Sequence, residues 1–438
     1  MSKTNSCSLP SPPSDWKFLP FRNICLRLIH GGTPSTLIAA YWNGKTPWIT
    51  GADFENNNIK VIRRHITDRA IKESSTNIVP KGRILLVSRT GVGKIAIAEF
   101  DVAISQDITG LDLNKSEALD KYIYYALQNE IEEIKKYNQG TSINGILRED
   151  LLKHHFYIPS YTEQQSIADI LTTIDNLIDH TESLIAKYQS IKLGMMHDLF
   201  TRGVDANGRL RPPRKEAPEL YKESALGWIP KEWEVVQLSD IANVNRGKFT
   251  ARPRNDPMYY GGQYPFIQTG DVTNNCGRVI THFSQTLSEP GKSVSRSFPP
   301  GTIAVTIAAN IADTSILGIE MFFPDSIVGI EVNHEHSVRF IELCIRMNKP
   351  FLDAKAPQSA QKNINLNDLR PLLVPLPPPD EQHKISKIYE TIECNSRTLE
   401  ENMTKFQIMK SGLMHDLLTG TIRIPPHLTP AQEPPHAV

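Results

Sequence analysis

The sequence predicts an α+β protein made twice over: two tandem mixed α/β domains, separated by two long helices that pack as an antiparallel coiled coil about a pseudo-two-fold axis. Three observations predict it. The segment IPSYTEQQSIADILTTIDNLIDHTESLIAKYQSIKLGMMHDLFT from Ile158 is answered by LPPPDEQHKISKIYETIECNSRTLEENMTKFQIMKSGLMHDLLT from Leu376, an offset of 218 with about two positions in five identical. Upstream, nearly the same offset relates TPWITGAD (46–53) to YPFIQTGD (264–271), GRILLV (82–87) to GTIAVT (301–306), ITGLDLN (108–114) to IVGIEVN (327–333) and DWKFLPF (15–21) to EWEVVQL (232–238). Finally, the two long segments repeat apolar residues with a period of about 3.5 over about five heptads, as a coiled-coil seam does.

Taken in order, residues 1–14 (MSKTNSCSLPSPPS) are Ser- and Pro-rich, lack the apolar core of a signal peptide and are expected to be disordered. From 15 to 158, short β-branched and aromatic runs alternate with Gly, Pro and Asn turns, and KYIYYALQNEIEEIKKY (121–137) reads as a helix. The helical region 159–204 places Ile167, Leu171, Ile174, Ile178, Thr181, Ile185, Tyr188, Lys192, Met195 and Leu199 on its seam. A second stripe, Ile170, Leu177, Leu184 and Ile191, is expected to widen that face. Residues 205–231, with Asn-Gly and Pro-Pro turn signals and few large apolar residues, read as a surface linker. Residues 232–375 repeat the mixed domain. The region 376–424 repeats the seam through Ile385, Tyr389, Ile392, Ser396, Leu399, Met403, Phe406, Lys410, Leu413 and Leu417, and 425–438 reads as an unpacked tail. At about 1.5 Å per residue a helix of about 38 residues is roughly 57 Å long. An antiparallel pair is therefore expected to act as a spacer between two similar domains.

The 438 residues exceed what one core organises, so several domains are expected. Lys and Arg number 48, as do Asp and Glu, so any nucleic-acid surface must be local. The five cysteines (Cys7, Cys25, Cys276, Cys344, Cys394) are scattered and never form a C-x-x-C pair, which argues against a disulfide framework and a zinc site. No apolar run reaches the length of about 18 residues that a membrane span needs, so a cytoplasmic protein with no membrane partner is expected.

GGTPS (31–35), YWNGKTPWI (41–49), the helix starts IPSYTEQQSIADIL and LPPPDEQHKI, and the linker LRPPRKEAPELYKESALGWIPKEWEV (210–235) resemble the specificity subunits of type I restriction-modification systems. The resemblance covers residues 15–424. It implies two target recognition domains that read the two parts of a bipartite, asymmetric sequence in double-stranded DNA, with the helices setting the spacer between them. It also implies two modification (methyltransferase) subunits as partners and, for cleavage, restriction (translocase/endonuclease) subunits. S-adenosylmethionine, ATP and magnesium would be bound by those partners, leaving this chain non-catalytic, with neither cofactor nor metal of its own.

Candidate DNA contacts in the first domain are Lys60, Arg63, Arg64 and Arg69 in IKVIRRHITDRAIK (59–72), with Arg89 and Lys94 in SRTGVGK (88–94). In the second they are Arg246, Lys248, Arg252 and Arg254 of NRGKFTARPRN (245–255), with Tyr259 and Tyr260 beside Phe249. Arginine pairs bidentately with guanine, and Gly-rich loops let backbone approach phosphate. Solvated surface charge is the alternative. Three apparent motifs fail on inspection. GVGK (91–94) has Ser88 where a phosphate loop needs its first glycine and Ile95 where it needs Ser or Thr. PDSIVGIEVN (324–333) has Asn333 at the lysine position of a metal nuclease, and DPMYY (256–260) lacks a companion glycine-rich cofactor stretch.

Met-His-Asp-Leu occurs in both helices. With Met195 and Leu199 in the seam, His197 falls on the outer face. Met196, His197 and Asp198, with Met414, His415 and Asp416, are expected to contribute to two equivalent partner interfaces; helix-end packing against the globular domains is the alternative. Within the family, modification and cleavage fused in one partner remains open, and two readings outside it do too. One is a DNA-binding enzyme with an unfamiliar active site, which would transfer methyl groups or nick DNA unaided. The other is a non-catalytic coiled-coil scaffold with repeated peptide- or glycan-binding domains, which would lack sequence-selective, salt-dependent DNA affinity.

Overall fold

The structure, a computed structural model, describes residues 13–55, 57–59, 61–136, 145–308, 310–356 and 363–425. The chain forms two compact units, one of Met1–Ser183 with Glu400–Val438 and one of Leu184–Leu399.

The first unit holds two four-stranded sheets. In one, Cys25–His30, Ile108–Leu113, Ile84–Val87 and Ile95–Ile97 lie side by side and antiparallel. In the other the order is Arg64–Ile66, Thr46–Ile49, Val102–Ile104, Asn77–Val79, with the central two strands parallel. All four residues of Ile84–Val87 are buried, which is why that strand reads as an unbroken apolar run. A pair of strands, Lys17–Pro20 with His155–Ile158, joins the start of the unit to the segment just before its long helix. Helix α1 (Asp120–Lys136) buries Tyr122, Ile123, Tyr125 and Leu127; Tyr137, the end of the expected helix, lies outside the described residues.

The second unit repeats this plan. Ala242–Arg246, Ile327–Val332, Ile303–Thr306 and Thr314–Leu317 match the first sheet, with Val279–Ile280 added as a fifth strand. Gln285–Leu287, Tyr260–Phe266, Met321–Phe323 and Arg296–Phe298 match the second. The glycine shared by ITGLDL and IVGIEV has a packing cause. A Cβ on Gly110 would lie 2.5 Å from Val79, and one on Gly329 would lie 2.3 Å from Phe298.

Two helices of 41 residues, α2 (Tyr161–Thr201) and α3 (Pro379–Thr419), each contribute to both units. In the first unit, Ile167 and Leu171 near the start of α2 share a core with Leu417 and Leu418 at the end of α3. In the second, Leu199 and Phe200 at the end of α2 share a core with Ile385 and Tyr389 near the start of α3. The pairing is therefore antiparallel in each. Lys410 pairs with Asp175 at 2.6 Å in the first unit and Lys192 pairs with Glu393 in the second. Because 175 + 218 = 393 and 192 + 218 = 410, these are one ion pair made twice with the helices exchanged. The predicted seams are buried or half-buried along both helices.

The widened face is a correction: Ile170 and Leu184 are half-buried, but Leu177 and Ile191 are each 40% exposed. A two-helix pair covers only the seam, and a flank is covered only where a globular domain reaches it. Residues 205–231 are also more than a connector. Tyr221–Ser224 and Gly227–Pro230 form a hairpin that buries Tyr221 and Ile229, and Ile229 joins the core of the second unit.

Candidate nucleic-acid interface

In the first unit an open cleft of about 630 Å³ is lined by Trp42, Asn43, Arg63, Arg64 and His65. A short helical turn, Ala39–Tyr41, delivers Tyr41 and Trp42; Thr46–Ile49 brings Trp48; the edge strand Arg64–Ile66 sets Arg64 directly opposite Trp48. Gly44 is required because a Cβ there would lie 1.9 Å from the Ile66 carbonyl oxygen. Trp42 meets Trp48 edge to face at 5.1 Å, and the Arg64 guanidinium lies 5.4 Å from the Trp42 ring and 5.9 Å from the Trp48 ring.

The neighbouring basic residues have other commitments. Arg63 donates to Asp53 at 2.5 Å. Burial pushes the Asp53 carboxyl up, but hydrogen bonds from Arg63 and Thr50 outweigh it and hold the group below the usual carboxylate value. Arg69 donates to Glu73 at 2.9 Å and lies over Tyr41. Arg89 is exposed on the turn that joins Ile84–Val87 to Ile95–Ile97. Lys94 is half-buried, and its ammonium donates to the carbonyls of Gly51 and Phe54 at 3.3 and 2.9 Å, which ties that turn down. Lys60 lies outside the described residues.

In the second unit Arg254 donates to both Asp325 carboxylate oxygens, at 2.6 and 3.4 Å, and holds that carboxyl below its usual range. Arg246 donates to the Asp325 carbonyl, and Arg296, which the sequence reading missed, donates to the Arg246 carbonyl at 3.0 Å. Lys248 is exposed, as is Arg252, which donates to the Ala251 carbonyl at 2.7 Å. Tyr259 and Tyr260 pack half-buried around Phe249, and the Tyr260 hydroxyl donates to the Arg254 carbonyl at 2.8 Å. The cluster is thus one basic surface braced by Asp325.

The two surfaces share a framework. Adding 218 to Tyr41, Trp42 and Trp48 gives Tyr259, Tyr260 and Phe266, which sit on the matching turn and strand. Sequence reasoning chose the tyrosines and missed both tryptophans; the repeat offset was the signal that reaches them.

The repeated helix starts hold a second set that motif reading missed. Glu163 accepts from Arg423, which also donates to Asp15 at 2.9 and 3.0 Å; Glu381 accepts from Arg211, which also donates to Glu232 at 2.9 Å. Gln164 accepts from the Leu119 amide and donates to the Pro159 carbonyl, as Gln382 does with Ser337 and Pro377. The Glu-Gln dipeptide is therefore a clasp between the helix and its globular domain.

Among the proposed partner contacts, Met196 and Met414 are half-buried against the cores of the second and first unit respectively. His197, with 76% of its side chain exposed, and His415 remain on the outer face. Asp198 accepts from Arg202 at 3.1 Å, and Asp416 is half-buried. Among the described residues no group of three or more His, Cys, Asp or Glu is arranged to hold a metal ion, and no helix is long and apolar enough to cross a membrane.

The sequence model of the type I restriction modification DNA specificity domain matches this chain twice, at residues 13–188 and 230–405. The MjaIX specificity subunit of Methanocaldococcus jannaschii is 31% identical over 261 residues, 58% of each chain, so that match spans little more than half the relative's length. The MjaVIII specificity subunit of the same organism is 23% identical over 431 residues, 94% of each chain. The crystal structure of the type I restriction-modification S subunit from M. genitalium is similar in fold, with a TM-score of 0.60 at 17% identity over 93% of this chain and 99% of that one. With two specificity domains laid over two repeats of one fold, the chain belongs to the type I restriction-modification DNA specificity family and is a DNA-recognition subunit.

Proposed function

We propose that each unit reads one part of a bipartite sequence in double-stranded DNA, and that modification and restriction subunits do the chemistry on the DNA so selected. Residues 15–158 and 232–375 act as the readers, and 159–204 and 376–424 as the helical regions that join them. The observation that carries this is the repeated framework: the same aromatic-walled sheet edge occurs twice, with different polar residues around it. A protein with equal numbers of acidic and basic residues binds DNA through such local surfaces, not through its overall charge. Exposed Arg64, Arg89, Lys248 and Arg252 are the foremost contacts. Arg63, Arg69, Arg246 and Arg254 form the braced rims, with Tyr259 and Tyr260 as a wall.

The chain performs no catalysis in this reading; S-adenosylmethionine, ATP and magnesium belong to its partners, and the complex works in the cytoplasm. Two modification subunits dock at the equivalent outer faces marked by His197 and His415. Single-molecule sequencing of methylated positions tests both points in a host that expresses the chain with its partners. A bipartite methylated motif should vanish when the chain is deleted, and His197→Ala with His415→Ala should lower methylation while leaving the motif unaltered. Methylation unaffected by the deletion would refute the function.

A further inference from the structure

The two units place different side chains at one matching position. In the first unit Arg64 lies on the edge strand, directly across from Trp48. In the second, Gln285 lies on the equivalent edge strand, directly across from Phe266, and Phe266 matches Trp48 at the offset of 218. The flanking pairs agree: Ile66 faces Thr46 as Leu287 faces Tyr264. Both Arg64 and Gln285 are exposed.

Arg64 differs from its neighbours in having unspent donors. Arg63 and Arg69 are each paired with a carboxylate, whereas Arg64 has no hydrogen-bond or ion-pair partner among the described residues and is held only against the faces of Trp42 and Trp48. Stacking orients a guanidinium without consuming its N–H groups. Gln285 is oriented by another means: its side-chain oxygen accepts from the Gln268 amide at 3.0 Å, which leaves its own NH₂ and a second lone pair available.

We propose that this edge-strand position reads a base in both units, Arg64 pairing with a guanine and Gln285 with an adenine. The inference rests on the chain being a DNA reader and adds which residues read and what they read. The assignment follows from donor and acceptor patterns. A guanidinium edge presents two donors, and of the major-groove edges only guanine answers with two acceptors, N7 and O6. A carboxamide presents one donor and one acceptor, which adenine N7 and N6 complement. One framework with two polar heads thus yields two different half-sites.

The test uses the complex with modification subunits and duplexes carrying its methylated motif, with each guanine replaced in turn by 7-deazaguanine and each adenine by 7-deazaadenine, which removes N7. One guanine replacement should weaken binding by the native complex about 5-fold or more, short of the roughly 150-fold a whole bidentate pair can be worth because O6 still accepts, and should leave the Arg64→Ala complex, which has no donor there, unaffected. One adenine replacement in the other part of the motif should behave likewise towards Gln285→Ala. The proposal is overturned if no guanine replacement weakens the native complex, or if a variant remains as sensitive as the native chain at the position assigned to it. A native complex that methylates no bipartite motif would instead bring down the DNA-reader function, and the inference with it, before any variant is made.

Discussion

Arg63 and Arg64 are adjacent in the sequence and have opposite roles in the structure: one is spent on Asp53, the other is held ready over two indoles. Asp53, with 4% of its side chain exposed, depends on Arg63 and Thr50, so its carboxyl is held below the ordinary value of 3.8. A depressed carboxyl contributes stability that is fully present above its unfolded value and fades as pH falls through the folded one. Thermal unfolding followed from pH 7 to pH 2.5 should therefore show the first unit weakening below about pH 4, and Asp53→Asn should flatten that acid limb while lowering stability at neutral pH. Such pairings were not legible in the sequence. Lys94 is a candidate DNA contact in SRTGVGK, and its hydrogen bonds to the Gly51 and Phe54 carbonyls some 40 residues upstream are announced by no local pattern. Trp42 and Trp48 were missed for a related reason, since isolated aromatics between turns have no period to read.

At the scale of elements, the seam was legible because a heptad period is a local property of the chain, and its duplication doubled the signal. The flank at Leu177 and Ile191 was not, because cover on a helix side depends on which domain reaches it. The exchanged ion pairs predict a measurable coupling. A double-mutant cycle of Asp175→Asn and Lys410→Met, followed by urea unfolding, should give a coupling of about 0.5–1 kcal/mol for the partly exposed pair, and Glu393→Gln with Lys192→Met should give a similar value. Each helix also carries one interior glycine at the matching position, Gly194 and Gly412, where an added Cβ meets nothing within 4 Å. Alanine at either should stabilise its helix by about 0.5–1 kcal/mol, read as a rise in Tm.

At the scale of the whole molecule, the repeat was the most legible feature, because offsets within a residue of 218 align strands, turns, seam and helix starts together. What the offset could not supply is the topology of either unit, since pairings such as Trp48 with Arg64 join segments through edge contacts rather than through any shared pattern. The division of the two helices also bears on synthesis. The second unit, Leu184–Leu399, is one continuous stretch, whereas the first needs Glu400 onward to finish its core. At about 5–20 residues per second a ribosome takes roughly 10–40 s to make the intervening stretch. Throughout that interval Ile167 and Leu171 lack the Leu417 and Leu418 that cover them. The nascent chain must carry a half-covered apolar face until its last segment emerges, so the first unit, though translated first, is completed last.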